Sequence, residues 1–380
     1  MKVLFLSAWY PHRYDAMDGL FVRKHAEAVS RFAEVCVLFL YADKNVKHFE
    51  IVEQNFENVR EIYVYYPFSN NKLLLKTNYA RAFCKGYKIV KNKFGKPDIT
   101  QVNVLMRSHF LAYWLKKTEK IPYVIIEHWS RYLPENKNYN GWIRKRVTEF
   151  IVRRAEVLMP VSNYLKNAMS NCNLSHKNTI VINNVVDDFF FERSDQKEQR
   201  TKKRILHISC FNEKAKNICG LLDATKLLSE KRADFEFVAV GTGVDFEKCK
   251  KHSENLNFPK EMVKFIGEVA PNEVSRWFQN SDFSVMFSNY ETACVVVAES
   301  LASGIPVIGT PTGIVPDVIN ETNGLIVDVN DAVDLSEKMN FMLDNFGKYD
   351  AEKIRNEAKK YSYENVGEFL IQTYKNVLTK

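Results

Sequence analysis

What this chain lacks excludes several classes of protein. No apolar run among its 380 residues reaches the roughly 18 residues that a membrane-spanning helix needs. The apolar opening MKVLFLSAWY has one lysine as its charged end, and YPHRYDAMDG follows where small residues and a cleavage site would stand; it reads as a first buried strand, not a secretory leader. Cysteine is scattered: seven residues, an odd number, with no CxxC pairing, as expected of free thiols in a reducing cytoplasm. There is no low-complexity segment. The net charge of +8 would suit nucleic acid, yet no helix-turn-helix, zinc or RNA-recognition pattern accompanies it, so a basic nucleic-acid-binding protein is the weaker alternative.

What is present is a rhythm. With 46% hydrophobic residues the chain can bury a large core, and its length suits two domains. Short apolar runs predict strands at Val3–Ser7, Val35–Leu40, Ile62–Tyr65, Ile99–Val102, Tyr123–Ile126, Val157–Pro160 and Thr179–Ile182, with helical stretches such as Leu20–Phe32 and Tyr79–Lys91 between them. A polar, charged segment, Glu192–Arg204, interrupts the pattern. The rhythm resumes at Ile205–Ser209, Phe235–Val240, Val263–Ile266, Phe283–Phe287, Pro306–Gly309 and Leu325–Val327, and the tail from Ala351 to Lys380 reads as helical. VLFLSAW and ILHISCF open the two halves alike, each as a buried strand running into a loop. The expected fold class is α/β: two doubly wound parallel-sheet (Rossmann-like) domains, 1–187 and 204–358, with ligands at the carboxyl ends of the strands.

One stretch joins fold to chemistry. In YETACVVVAES, residues 290–300, the pattern predicts a loop Ser288–Thr292, a helix Ala293–Ser303 and a left-handed stop at Gly304. Thr292, Ala293 and Cys294 are small enough for an anion to approach the first-turn amides and the positive end of the helix dipole. Glu291 and Glu299 flank the valines. On spacing alone they could equally be a capping and a surface carboxylate.

The run Ser281–Val327, SDFSVMFSNYETACVVVAESLASGIPVIGTPTGIVPDVINETNGLIV, resembles the nucleotide-binding region of retaining GT-B glycosyltransferases of the GT4 (group 1) family. EHWSRY at 127–132, PVSNYLKNAM at 160–169, VINNVVD at 181–187 and ILHISCFNEKAKNICGLLDAT at 205–225 follow in the family's order; the likeness is weak over 41–120 and strong after 205. It implies two domains facing across a cleft, with a C-terminal helix of about 360–380 packed back on the first. It also implies that Glu291 contacts hydroxyls of a transferred sugar, that Glu299 holds the ribose of a nucleotide, and that the amides of Ala293, Cys294 and Val295 meet a diphosphate. Lys216 matches the lysine of the family's R-x4-K motif. The arginine is absent, because its position holds Phe211, and Lys214 is the candidate replacement. His128 aligns with the family's histidine facing the sugar, and Gly19 with the glycine-bearing loop over the diphosphate. Gly241-Thr242-Gly243 lacks the third glycine of a dinucleotide fingerprint and reads as a turn near the nucleotide.

The resemblance implies transfer of a sugar from a UDP- or GDP-sugar donor, with retention, to a saccharide or lipid-linked saccharide acceptor. The setting would be envelope or capsular polysaccharide biosynthesis in the cytoplasm, with no nucleic-acid partner. No cofactor is expected, and no metal. Asp15, Asp18, Asp187, Asp188, Asp328 and Asp331 never form the D-x-D that holds an ion in the other common glycosyltransferase fold, and a helix terminus with Lys216 would serve the diphosphate instead. Arg144-Lys145-Arg146 and Arg153-Arg154, beside Tyr139 and Trp142, suit peripheral contact with anionic lipid at the inner membrane face. A nucleotide-sugar 2-epimerase of the same architecture is the other enzyme reading, although its acid and base residues cannot be placed.

Overall fold

A computed structural model of the protein describes residues 1–193 and 198–379; Ser194–Lys197, within the expected polar boundary segment, and Lys380, at the end of the expected helical tail, lie outside the described residues. The chain forms two compact units. One comprises Met1–Val161, Leu165–Val185 and the C-terminal residues from Tyr363; the other comprises Val186–Ser362 with Ser162–Tyr164.

The first unit runs β1 (Lys2–Ser7), α1 (Leu20–Ser30), β2 (Glu34–Asp43), β3 (Glu50–Phe56), β4 (Val59–Pro67), α2 (Lys72–Ile89), β5 (Ile99–Asn103), α3 (Ser108–Thr118), β6 (Tyr123–Glu127), α4 (Trp142–Val152), β7 (Leu158–Pro160) and α5 (Asn163–Asn171). Its sheet has the order β3-β4-β2-β1-β5-β6-β7, parallel except where β3 pairs antiparallel with β4. The second unit runs β8 (Lys203–Ile208), α6 (Glu213–Lys216), α7 (Ile218–Ser229), β9 (Phe235–Val240), α8 (Phe246–Asn255), β10 (Val263–Gly267), α9 (Pro271–Gln279), β11 (Phe283–Met286), α10 (Val295–Ala302), β12 (Val307–Gly309), α11 (Val315–Val318), β13 (Gly324–Ile326), α12 (Ala332–Asn345) and α13 (Ala351–Ala358). Its sheet is parallel throughout, in the order β10-β9-β8-β11-β12-β13. The last helix, α14 (Tyr363–Leu378), belongs to the first unit. It lies close against α1: a Cβ on Gly367 would stand 2.4 Å from the Ala28 carbonyl oxygen, and the Tyr363 hydroxyl donates to Glu27 at 3.0 Å.

Both sheets are doubly wound for a reason visible in their strands. Residues 3–6, 35–39 and 235–240 are near-continuous apolar runs, buried on both faces as helix-covered parallel strands require. The valines of α10 follow from the same burial. Val297 is fully buried, and burying a valine is worth roughly 1.5–3 kcal/mol, against a helix-propensity loss below about 0.7 kcal/mol.

Outside the candidate site the structure departs from the sequence expectations in several elements. The strand β3 departs from expectation because EIVEQNF is a largely exposed, charged edge strand without an apolar run. Thr179–Ile182 is not a regular strand, although it runs beside the three-residue β7: the Leu158 amide donates to the Asn178 carbonyl at 3.0 Å, and the amides of Ile180 and Ile182 donate to the carbonyls of Leu158 at 3.0 Å and Pro160 at 3.1 Å. Helix α2 begins at Lys72, not Tyr79, since the side chain of Asn71 caps it by accepting from the amides of Leu73 and Leu74. The tail is two helices, interrupted by a 3-10 turn at Lys359–Tyr361 and the extended Ser362.

Strand order reverses direction between β1 and β5 in the first unit and between β8 and β11 in the second. Loops leaving adjacent strands on either side of such a point diverge and open a crevice at the carboxyl end of the sheet.

Candidate functional site

In the second unit the two loops flanking the reversal carry the expected charges. After β8 the chain runs close beside Gly241 and Gly243: Cβ atoms there would lie 2.0 Å from the Ser209 carbonyl oxygen and 2.6 Å from the Phe211 nitrogen, so only glycine admits this path. The side chain of Asn212 then caps the single turn of α6 by accepting from the Ala215 amide, and Asn217 ends it in the left-handed conformation with φ 49°. The loop after β11 docks on that turn. The Asn289 amide donates to the Ala215 carbonyl at 2.7 Å and its side-chain amide to the Lys214 carbonyl at 3.1 Å.

This docking brings the Lys216 ammonium onto the Glu291 carboxylate, where the two form an ion pair. The Ser288 hydroxyl donates to the same Glu291 oxygen at 2.9 Å, and Thr310 holds Ser288 by donating to its carbonyl at 2.6 Å. Burial by itself would push the lysine down, but the adjacent carboxylate outweighs it and holds the ammonium well above its ordinary value. Lys216 is therefore charged at any physiological pH. Beneath the pair lies His207, which sequence reasoning missed. Its Nδ1 faces the Val285 carbonyl at 2.9 Å and its Nε2 the Ser209 hydroxyl at 2.8 Å. A carbonyl only accepts, so Nδ1 carries the proton and Nε2 accepts from Ser209. Burial lowers this imidazole to about 4 and keeps it neutral.

The expected helix Ala293–Ser303 is shorter, which corrects the placement of the small residues. Thr292, Ala293 and Cys294 precede α10, and Val295 is its first residue. Cys294 has φ 59°, a left-handed conformation that a helix interior does not admit, and it serves as the N-cap. The Ala293 carbonyl accepts from the Ile314 amide at 3.0 Å. Gly313, at φ 58°, makes this close approach possible, since a Cβ there would meet both the Ala293 oxygen and the Glu291 Cβ at 2.9 Å. Of the first amides of α10, that of Val297 already donates to the Cys294 carbonyl at 3.0 Å, while those of Val295 and Val296 have no carbonyl of a preceding turn to bond. Glu299 stands farther along α10, half-buried, and Gly304 closes the helix with φ 75°. Phe211, at the missing arginine's position, is fully buried, with its ring against Phe246 and Phe265. Lys214 is exposed, with its ammonium 6.0 Å from the centre of the Tyr290 ring.

The first unit has its own arrangement. Gly19 caps α1 at φ 61°, and a Cβ there would lie 2.4 Å from the Trp9 backbone, so the fold alone demands glycine. His128 follows β6. Its loop is organised by Glu127, another residue missed from sequence, whose buried carboxylate accepts from the amides of Leu105 at 2.9 Å, His128 at 2.8 Å and Trp129 at 2.8 Å. The signal was a carboxylate at the last position of a buried strand, inside EHWSRY. His128 is buried with its ring 4.1 Å from Phe21 and 5.6 Å from His25, and neither ring nitrogen has a hydrogen-bond partner among the described residues. Burial, then the neighbouring His25, lowers it well below the usual histidine range, so it is neutral.

Comparison with known proteins adds the following. Residues 188–364 match the family described as glycosyl transferases, group 1. An uncharacterized glycosyltransferase of Methanocaldococcus jannaschii is 25% identical over 96% of this chain and 95% of its own length. The N-acetyl-alpha-D-glucosaminyl L-malate synthase of Bacillus anthracis is 25% identical over 63% of this chain and 64% of its own. The alpha-monoglucosyldiacylglycerol synthase of Streptococcus pneumoniae is 22% identical over 80% and 70%. Among solved structures, a sucrose-phosphate synthase from Thermosynechococcus elongatus superposes with a TM-score of 0.76 at 16% identity, covering 100% of this chain and 99% of that one. An Anabaena protein solved in complex with UDP gives 0.74 at 17% identity, covering 99% and 100%.

Proposed function

We propose, for a chain that belongs through its second unit to the group 1 glycosyl transferases and has the GT-B type of fold, that it transfers a sugar from a nucleoside-diphosphate donor to a saccharide or lipid-linked saccharide acceptor with retained anomeric configuration. The observation that carries this reading is the Lys216–Glu291 pair, held where strand order reverses and next to the amide-rich start of α10. A diphosphate carries the charge such a place attracts. Negative charge grows on the leaving diphosphate as the glycosidic bond lengthens, and a lysine kept charged by its surroundings favours that transition state over the ground state. Glu291, bound to Lys216 and Ser288, sits where it can take hydroxyls of the sugar and stabilise positive charge on the ring. Glu299 holds the ribose. Bond breaking leads, through an oxocarbenium-like transition state akin to that of glycoside hydrolysis, and the acceptor attacks from the face the diphosphate leaves. No covalent nucleophile is assigned, and Lys216 with the α10 amides takes the place of a metal ion.

A lipid-linked acceptor, and with it envelope or capsular polysaccharide synthesis at the inner membrane face, is supported by the first unit's surface. No helix among the described residues is long and apolar enough to cross a membrane. Helix α4 nevertheless exposes Trp142 at 75% and Ile143 at 61% of their surface beside Arg144, Lys145 and Arg146. This combination suits the boundary between anionic headgroups and acyl chains. A concavity of 490 Å³ next to it is lined by Arg107, Phe110, Arg131 and Arg144 among others, apolar surface with guanidinium groups for an amphiphilic anion.

Two measurements test the reading. A thermal-shift screen of UDP-, GDP- and ADP-sugars should show one nucleotide stabilising the protein in proportion to the logarithm of its concentration; no shift with any of them would remove the donor site. Calorimetric titration then separates the glutamates. Glu299→Gln should weaken free nucleotide and intact donor alike, because a charge-assisted hydrogen bond worth roughly 1.5–3 kcal/mol becomes a neutral one. Glu291→Gln should spare the free nucleotide and lower kcat. Equal effects on nucleotide affinity would refute this division.

A further inference from the structure

The second unit holds a cluster of ligand-type side chains that the transfer chemistry leaves unused. Glu213, the first residue of α6, Cys219, in the first turn of α7, and Cys249, on α8, bring one carboxylate oxygen and two sulfur atoms within 4.8 Å of one another. These three residues come from three different helices and converge on one point. The carboxylate is aimed there by the start of α7: it accepts from the Ile218 amide at 2.8 Å and from the Cys219 amide at 3.1 Å. Its backbone is fixed as well, since the Glu213 amide donates to Asp245, which precedes α8, at 2.8 Å. The Cys249 thiol donates to Glu213 at 3.6 Å and is fully buried, while Cys219 is half-buried and leaves one approach open.

We propose that Glu213, Cys219 and Cys249 form a binding site for a thiophilic divalent d10 cation, zinc in chemical class, that ties α6, α7 and α8 together. The spacing suits it. Metal–sulfur bonds of about 2.3 Å and metal–oxygen bonds of about 2.0–2.2 Å at tetrahedral angles put ligand atoms roughly 3.5–3.8 Å apart, and the sulfur-to-oxygen separation of 3.6 Å already lies in that range. The electrostatics favour a cation over an oxidised pair. A thiolate beside the Glu213 carboxylate is repelled, which hinders the attack that begins disulfide formation, whereas a dication at the shared centre turns both negative groups into partners. Binding forms two metal–thiolate bonds and one metal–carboxylate bond, breaks two S–H bonds and releases two protons per ion; no electron moves. A fourth position is left to water. The site takes no part in chemistry at Lys216 or Glu291. Its effect is to brace the helical turn on which Lys216 stands.

Cadmium titration of the full chain, kept reduced with a phosphine, is the test. The expected result is a thiolate-to-metal charge-transfer band that saturates at one ion per chain with about two protons released per ion, and competition of zinc for the same band. Cys219→Ala, a half-buried change, should abolish the one-to-one complex, while Cys84→Ala, at an exposed thiol on α2, should leave it intact. Should Cys249→Ser fold poorly, Cys219→Ala still decides. An unchanged band in Cys219→Ala, release of one proton or none, or no saturable band in the wild-type chain would each overturn the assignment.

Discussion

Two buried histidines, one in each unit, show how differently the two halves are finished. His207 lies on β8 and His128 just after β6; both are buried and both are held neutral by burial. His207 uses both ring nitrogens, one donating to Val285 and one accepting from Ser209. His128 uses neither among the described residues. Leaving a buried polar group unsatisfied costs roughly 1–3 kcal/mol, a cost that the hydrogen bonds of His207 remove and the surroundings of His128 do not. The same contrast extends outward. Around His207 the second unit holds a linked set, Lys216–Glu291–Ser288–Thr310. Around His128 the first unit buries two further imidazoles: His109, also without a partner on either nitrogen, and His25, bonded only through Nε2 to the Asn183 carbonyl.

The contrast can be tested at three depths. The largest effect belongs to the linked set around Lys216. Lys216→Ala should lower kcat by about 10²–10³-fold, the usual loss for one group stabilising transition-state charge, and weaken donor binding with it. Steady-state kinetics with the donor found in the screen check this; unchanged turnover would take Lys216 out of the site. Next comes the histidine pair itself. His128→Leu should lower transfer about 10–100-fold while sparing nucleotide affinity and thermal stability, because an apolar side chain of similar size keeps the packing against Phe21 and no hydrogen bond is lost among the described residues. His207→Ala should instead destabilise the fold by roughly 1–3 kcal/mol, since it strands the Val285 carbonyl and the Ser209 hydroxyl. Exchange of these phenotypes would invert the assignment.

The smallest effect is that of pH on the resting protein. Burial lowers His25 and His109 to about 4, against 6.5 for an exposed imidazole. In the window between, the unfolded chain binds protons that the folded one refuses. The stability these groups contribute is therefore fully present above about 6.5 and is lost as the pH falls toward and through about 4. His25, His109 and His128 lie in the first unit, against His207 in the second, so hydrogen exchange corrected for intrinsic rates should show the first unit losing more protection than the second between pH 6.5 and 5. Equal loss in both would erase the distinction.

How far the fold was legible depended on burial. Parallel strands covered by helices on both faces write themselves as apolar runs, and the boundaries expected for β5, β6 and β9 lie within a residue of those observed. The edge strand β3 carries no such run, and the TIVI stretch at 179–182 has strand chemistry but a partner strand too short to extend its pairing. The residues of the candidate site were legible as motif members: Lys216, Glu291, Glu299 and the small residues before the valines. Glu127 and His207 were not. One works by gathering three amides and the other by bridging a neighbouring strand, and neither arrangement leaves a pattern along the chain.

The amino-acid sequence by itself determined the layering of this protein, because alternation of apolar strand runs with amphipathic helices follows from local burial on two faces of a sheet. It also determined which residue types stand at the ends of β8, β11 and β6. The tertiary structure alone decided that Lys216 meets Glu291 across 75 positions of sequence, that α10 begins at Val295 because Cys294 turns left-handed, and that Phe211 is core with no room for the motif's missing charge. Each of these depends on two loops docking across a reversal of strand order. Contacts of that kind are set by the three-dimensional path of the chain, and local propensity carries no information about them.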